Sequence, residues 1–211
     1  MSTISSDYGW KLLNQTYPSL QSLTLRQCHL NEQQLTTVIR YCSTISYLDI
    51  SDNERVGKSV RYLGANIECL ICGNLAEDES IETILSNVAF GNGRNVRFLS
   101  IFGPLGSLKT FQEFNRLVEL EIHFHTDDDQ TTWLSDIGSL SLNSLVLEQI
   151  RSYESPSTIN HQQFEQMLKR SKNLQRLQII GDFDWNLRLN DLSLRSLSEQ
   201  CPNLKELTII G

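Results

Sequence analysis

One spacing recurs eight times along this chain of 211 residues and constrains its fold more than any other feature. In each copy an apolar residue is followed three positions later by a second apolar residue, and two positions after that by a third. The triplets are Leu20, Leu23, Leu25; Ile45, Leu48, Ile50; Ile67, Leu70, Cys72; Val96, Leu99, Ile101; Leu117, Leu120, Ile122; Leu142, Leu145, Leu147; Leu174, Leu177, Ile179; and Leu204, Leu207, Ile209. The last two residues of each triplet share one face of a strand, because side chains alternate along it. A single strand cannot bury that face alone, so the copies are expected to stack into a solenoid.

This spacing resembles the leucine-rich repeat. The copies begin at residues 20, 45, 67, 96, 117, 142, 174 and 204, at intervals near the roughly 20–29 residues of that class, with longer intervals in the last coils. The resemblance implies an α/β fold, a right-handed horseshoe-shaped solenoid with a curved parallel sheet on the concave face and helices on the convex face. We expect residues 1–19 to form an N-terminal cap and residues 20–211 to form one repeat domain of about eight coils.

Helical spacing fills several of the intervals between triplets. It is seen in the sets Leu35, Val38, Ile39; Ile81, Ile84, Leu85, Val88; Trp133, Leu134, Ile137; and Phe164, Met167, Leu168. Asn31, Ser80, Asn160 and Asp191 precede helical runs and are predicted to cap them. Only Gly211 follows the last strand, so we expect apolar surface to be exposed at that end of the solenoid.

Two segments resemble a more specific class of repeat. Leu189, Asn190, Asp191, Leu194, Leu197, Cys201, Pro202, Asn203, Leu204, Leu207 and Ile209 are similar to the cysteine-containing repeats of F-box proteins. The segment from Leu20 to Ile45 is similar to them as well, although ribonuclease-inhibitor-like repeats match it equally well. The resemblance implies the substrate-binding region of a ubiquitin ligase receptor. Binding of the ligase adaptor would need an F-box outside this chain, because the residues before the first coil contain no F-box motif.

Composition narrows the classes of partner and compartment. The formal charge of −7 and the pI near 5.1 argue against nucleic-acid binding, which depends on clustered Lys and Arg. No apolar run is long enough to cross a membrane, and Met1–Leu20 lacks the features of an export signal, so we expect a cytoplasmic or nuclear protein that does not bind membranes. The five cysteines follow the repeat spacing and are expected to be reduced thiols.

Two groups of residues have side chains of the kind that metal or redox sites use. Cys69 and Cys72 have the spacing of half a zinc site, but no second pair accompanies them. His123 and His125 could share one face of a strand and supply two metal ligands, close to the acidic run 127–129. A solvated loop is the simpler interpretation of that acidic run than a metal site. No phosphate-binding glycine motif or nucleophile motif is present. We therefore expect no metal, no cofactor and no enzymatic activity.

The residues that alternate with the triplets are predicted to form a surface on the concave face. An apolar patch on adjacent coils consists of Tyr47, Ile71, Phe98 and Phe102, and an acidic group beside it consists of Glu119, Glu121 and Glu148. Together with Asp49, His123 and Arg176, these are the predicted partner-binding residues. Aromatic side chains next to charge are typical of protein interfaces.

The sequence thus predicts a protein–protein recognition module whose partner presents a basic segment. The resemblance to F-box proteins makes that partner the substrate of a ubiquitin ligase. Two alternatives remain open, a leucine-rich regulator of a GTPase or other switch protein, and a structural scaffold.

Overall fold

A computed structural model describes residues 7–74, 79–104, 108–125, 133–138, 140–151, 161–169, 171–181 and 191–210. The strands are β1 (Ser22–Thr24), β2 (Tyr47–Asp49), β3 (Cys69–Gly73), β4 (Phe98–Pro104), β5 (Glu119–His125), β6 (Ser144–Arg151), β7 (Arg176–Ile180) and β8 (Glu206–Ile210). The α-helices are α1 (Asp7–Thr16), α2 (Glu32–Tyr41), α3 (Ile81–Phe90), α4 (Trp133–Ile137), α5 (His161–Leu168) and α6 (Asp191–Gln200). Short 3-10 helices cover Ser59–Tyr62, Asn92–Asn95 and Lys109–Glu113.

All eight strands form one open sheet in the order of the chain, and every neighbouring pair is parallel. The middle leucines of the triplets lie directly opposite each other from strand to strand, beginning with Leu23, Leu48 and Leu70. This register is the one that the triplet spacing predicts, and the α/β solenoid fold is confirmed. Parallel neighbours need a crossover connection, which the helices and 3-10 segments supply.

The core is a continuous column of triplet and helix side chains. Leu70, Leu99, Leu120 and Leu177 are fully buried, and the predicted helical sets around Leu35, Ile84 and Phe164 pack against the same column. The first coil is less covered, since Leu20, Leu23 and Leu25 are only partly buried. Trp10 of α1 is buried in that core, whereas the side chain of Tyr8 lies outside the described residues.

The last described coil exposes its apolar residues. Leu207 and Ile209 are 43% and 39% exposed, although their triplet positions point toward the core. No described coil packs on the far side of β8, so these side chains have neighbours on one side only. The expected exposure of apolar surface at this end is therefore confirmed.

Two of the predicted helix caps are seen directly. The Asn31 side chain accepts a hydrogen bond from the Gln34 backbone N–H, and the Gln34 side chain accepts one from the Asn31 backbone N–H, which makes a reciprocal capping box. Ser80 accepts a hydrogen bond from the Thr83 backbone N–H at the start of α3. Asp191 is the first residue of α6 rather than its cap, and Asn160 lies outside the described residues. Within the described residues, no helix is both long and apolar enough to span a bilayer.

Candidate interaction surface

The open face of the sheet is formed by the side chains that alternate with the buried strand residues. Strand register aligns them in three rows. The first row is Ser22, Tyr47, Cys69, Phe98, Glu119, Ser144, Arg176 and Glu206; the middle row is Thr24, Asp49, Ile71, Ser100, Glu121, Val146, Gln178 and Thr208; the third row is Gly73, Phe102, His123, Glu148, Ile180 and Ile210. Alternation along the strands predicts this alignment.

The predicted apolar patch spans three neighbouring strands. Tyr47 and Phe98 lie two strands apart in the first row, with Cys69 between them, and Phe102 stands at the other end of β4. The four patch side chains, Ile71 included, are half-buried rather than fully exposed. Neighbouring side chains therefore already cover part of this apolar patch. Tyr47 and Phe98 are separated by two strand spacings, or roughly 10 Å across the sheet.

Asp49 does not occupy the exposed position predicted for it, and this part of the prediction is wrong. Its side chain is 7% exposed, and its Oδ1 accepts hydrogen bonds from the Ser51 backbone N–H at 3.0 Å and from the Ser51 hydroxyl at 2.7 Å. Strand β2 ends at Asp49, so the carboxylate turns back onto the chain that follows and forms an Asx turn. Asp49 closes the end of a strand and is not free to contact a partner.

Three residues of the middle row are more enclosed than alternation alone predicts. Ser100 and Val146 are buried, and Asp49 lies in the same row. A middle-row side chain has a row on each side and a strand on each side, whereas the outer rows border the edges where strands end. Ile71 and Glu121 of the middle row are only half-buried, so they remain part of the accessible surface.

The acidic group predicted beside the apolar patch is organised around one histidine. Nδ1 of His123 lies 2.7 Å from Oε2 of Glu148, and its Nε2 lies 3.7 Å from Oε2 of Glu121. The imidazole ring also stacks on Phe102, with ring centroids 4.4 Å apart and an angle of 7° between the planes. We call Glu121, His123 and Glu148 the acid–histidine cluster.

Electrostatics within the cluster favour a charged pair. Burial lowers the pKa of His123, but the carboxylates of Glu121 and Glu148 outweigh it, so the pKa lies above its ordinary value of 6.5. The proximity of His123 lowers the pKa of Glu121 below its ordinary value of 4.5, and Arg176 adds a smaller effect in the same direction. Two of the three predicted acidic side chains, Glu121 and Glu148, therefore already contact the imidazole of His123.

Glu119 and Arg176 complete the charged part of the surface. Glu119 is exposed at the start of β5, next to Phe98 in the first row. Arg176 Nε lies 3.6 Å from Oε2 of Glu206 on β8, beyond hydrogen-bond distance, and that nitrogen is buried without a hydrogen-bond partner. Of the three predicted acidic side chains, Glu119 is thus the one most available to a partner, directly beside the apolar patch.

The thiols of the surface are held in their protonated form. Burial, helped by Asp49 and Glu119, raises the pKa of Cys69 to about 11. Cys72 is fully buried on the opposite side of β3, where burial also raises its pKa. All five cysteines are free in the structure, and the described residues contain no group of three or more potential ligands that could hold a metal ion. The His125 side chain and the acidic run 127–129 lie outside the described residues.

Four side chains of functional interest were not predicted. Arg40, Arg61, Tyr62 and Phe90 form two stacked pairs on the helical side of the solenoid. The signal available in the sequence was only a Tyr and a Phe at the ends of short apolar runs. The variable loops 151–158 and 181–190 lie almost wholly outside the described residues.

Comparisons with known proteins identify the fold. No protein-family model matches the chain, and no curated protein matches it. Among solved structures, the chain is similar to the leucine-rich repeat-containing protein LegL7 of Legionella pneumophila, with a TM-score of 0.57 and 15% identity over 98% of this chain and 70% of that one. It is also similar to internalin C2 of Listeria monocytogenes, with a TM-score of 0.51 and 14% identity over 89% of this chain and 80% of that one. The chain therefore has the leucine-rich-repeat fold.

Proposed function

We propose that this chain is a non-enzymatic protein-recognition module that binds its partner on the open face of the sheet. The observation that carries the proposal is the junction of the apolar patch with the charged residues beside it. Phe98 and Glu119 are direct neighbours in the first row, and Phe102 and His123 are direct neighbours in the third row. Apolar anchors with adjoining charge are the arrangement that gives protein interfaces affinity and register.

The apolar patch supports tight contact at low entropic cost. Its aromatic side chains are half-buried before a partner arrives, and Phe102 is held by its stack on His123. Side chains that are already ordered lose little rotamer freedom on binding. A partner residue laid across Tyr47, Ile71 and Phe98 would complete their burial.

The charged part supports a basic segment as the ligand. Glu119 is exposed, and the chain as a whole carries a formal charge of −7. Within the acid–histidine cluster, Glu121 and Glu148 add two carboxylates whose side chains are 29% and 35% exposed. Lys or Arg side chains of a partner would therefore meet Glu119 first and the cluster second.

The finer proposal is that the partner is a ubiquitin-ligase substrate, with the chain acting in the cytoplasm or nucleus. It is supported by the similarity of the segment 189–209 to the cysteine-containing repeats of F-box proteins, in which Cys201 is buried at the step into β8. An F-box outside this chain would have to supply the adaptor contact.

The test compares the wild-type protein with two open-face variants. Proteins captured from a cell extract on immobilised wild-type chain are quantified, and their binding kinetics are then measured with Phe98→Ala/Phe102→Ala and with Glu119→Gln/Glu121→Gln/Glu148→Gln. The aromatic variant is expected to raise the dissociation rate roughly tenfold, because desolvated anchors are lost. The glutamine variant is expected mainly to slow association and to flatten its dependence on salt.

Matched controls remove similar groups elsewhere. Tyr17→Ala/Leu192→Ala removes two exposed apolar side chains, and Glu54→Gln/Glu82→Gln/Glu113→Gln removes three exposed carboxylates away from the open face. Both controls should retain the partners. Partners that survive both open-face variants, or that are lost equally from the controls, would overturn the proposal. Ubiquitin-ligase adaptors or substrates among the captured proteins would support the finer proposal. Capture of other proteins alone would support only the general proposal.

A further inference from the structure

A second surface lies on the helical side of the solenoid, away from the open face. The guanidinium of Arg40 lies over the Tyr62 ring, 3.9 Å from its centroid, and the guanidinium of Arg61 lies over the Phe90 ring at 4.6 Å. Because Arg61 and Tyr62 are consecutive, the two stacked pairs meet at the 3-10 helix Ser59–Tyr62, and together they make a row that runs from Arg40 through this helix to Phe90. We call this row the arginine–aromatic row.

Both rings of the row remain open to solvent. Phe90 is 70% exposed and Tyr62 is 45% exposed, which makes Phe90 the most exposed of the large apolar side chains described. The stacked arginines therefore do not shield either residue fully from solvent. A single exposed aromatic residue is ordinary on a protein surface, but two adjacent ones with stacked guanidinium groups are the composition of an interface centre.

The arginines of the row have no carboxylate partner in the part of the chain that the structure describes. No described residue forms an ion pair with Arg40 or Arg61. Arg61 uses its Nε to donate a hydrogen bond of 2.7 Å to Oδ1 of the buried Asn87, so its two terminal nitrogens are left for a ligand. Stacking on Phe90 and the bond to Asn87 together restrain the guanidinium of the half-buried Arg61.

The backbone beneath the row is packed closely enough to act as a rigid support. A side chain at Gly91 would meet the Arg61 carbonyl oxygen at 2.4 Å, and one at Gly64 would meet the Ser43 carbonyl oxygen at 2.7 Å. Asn92 Nδ2 also donates a hydrogen bond of 3.1 Å to the Leu63 carbonyl. The coils that carry the row are therefore locked to one another, and ordering the row on binding costs little.

We propose that the arginine–aromatic row binds an acidic polypeptide segment, with a carboxylate on Arg61, a second on Arg40, and an apolar side chain against Phe90. Charge complementarity supports this ligand, because the two guanidinium groups have no carboxylate partner among the described residues and favour carboxylates. A polypeptide is favoured over nucleic acid, since two arginines on a chain of pI 5.1 cannot neutralise the row of phosphates that nucleic-acid binding requires. The protein would then hold two partners at once, one on each side of the solenoid.

A random 12-residue peptide library, selected on the immobilised full chain, provides the test. Wild-type protein is expected to enrich peptides with two or more Asp or Glu residues beside an apolar residue. Arg40→Gln/Arg61→Gln should lose that enrichment, and the most enriched peptide should bind it at least about tenfold more weakly by fluorescence anisotropy. The control Lys169→Gln/Lys172→Gln removes the same charge from exposed positions on another coil and should bind within about twofold of wild type.

Two further variants distinguish the arginine–aromatic row from the open face as the peptide-binding surface. Tyr62→Ala/Phe90→Ala should also weaken binding of the selected peptide, whereas Phe98→Ala/Phe102→Ala on the open face should leave it unchanged. Failure of the arginine–aromatic row as a binding site is therefore distinguishable from failure of the proposed function on the open face. The proposal is overturned by enrichment of basic peptides, by equal losses in the arginine and lysine variants, or by tighter binding of a 12-mer of deoxythymidine through the same arginines. Arginine-dependent self-association in sedimentation would also overturn it, by making a second copy the occupant. Circular dichroism of every variant must match wild type before affinities are compared.

Discussion

The imidazole ring of His123 lies flat against the ring of Phe102, with centroids 4.4 Å apart and planes 7° apart. The two residues are direct neighbours on β4 and β5, so the sheet register itself brings them together. The stack joins the apolar patch to the acid–histidine cluster. Any change in the charge of His123 is therefore made at the edge of the proposed binding surface.

The first prediction concerns the pH dependence of stability. The pKa of His123 is raised above 6.5, so its stabilising effect is complete below pH 6.5 and disappears as the pH rises through the folded-state pKa. The pKa of Glu121 is lowered below 4.5, so its effect is present above pH 4.5 and disappears as the pH falls through the folded-state value. His123→Asn should therefore reduce the free energy of unfolding most between pH 4.5 and 6.5, and least at about pH 9.

Two measurements check this prediction. Proton NMR should give His123 a pKa above 6.5, and urea unfolding of wild type and His123→Asn should be compared at several pH values. His29→Asn is the control, because His29 is exposed and its substitution should produce no such pH-dependent difference. A pKa of His123 at or below 6.5 would contradict the arrangement of the cluster.

The second prediction tests the repeat core. Leu120 is fully buried at the centre of its triplet, so Leu120→Ala should lower the free energy of unfolding by about 2–5 kcal/mol. Leu192 is 56% exposed on α6, and Leu192→Ala should change it by no more than about 0.5 kcal/mol. Denaturant midpoints measure both. Similar midpoints for the two variants would be incompatible with the solenoid core.

The third prediction concerns a buried amide between the first coils. Asn53 donates hydrogen bonds from Nδ2 to the carbonyls of Leu25 at 2.8 Å and Ile50 at 2.9 Å, and its Oδ1 accepts one from the Leu30 N–H at 3.0 Å. Asn53→Ala leaves these groups unpaired, so we expect a loss of about 2–4 kcal/mol in the free energy of unfolding. Asn66→Ala, at an exposed position, should be nearly neutral. The amide is dispensable if both variants unfold at the same denaturant concentration.

The fourth prediction concerns thiol reactivity. Cys28 is exposed, whereas Cys42, Cys72 and Cys201 are buried, and burial raises the pKa of Cys201 to about 11. The thiolate is the reactive form. Iodoacetamide should therefore modify Cys28 first in the native protein and reach the other four cysteines after unfolding. Mass spectrometry follows the sites, and Cys28→Ser should remove the fast phase. Fast modification of Cys69 in native protein would contradict its assigned environment.

Local pattern in the sequence determined the strands, their register and the buried triplets. Strand alternation has a period of two, so placing Leu99 and Leu120 in the core also places Phe98 and Glu119 side by side on the open face. Helix caps such as Asn31 and Ser80 were predictable for the same reason, since a cap acts within three residues of itself. The fold class also follows from the repetition, because each coil has an apolar face that only a neighbouring coil can bury.

Contacts between coils were decided only in the tertiary structure. The pairing of His123 with Glu148 and the stacking of Arg61 on Phe90 depend on packing between neighbouring strands and between neighbouring helical segments. The segments that connect the strands vary in length and include short 3-10 helices, so no fixed period relates Arg61 to Phe90. Alternation determines which side of a strand a residue faces, whereas exposure and partners depend on packing across the sheet and between coils.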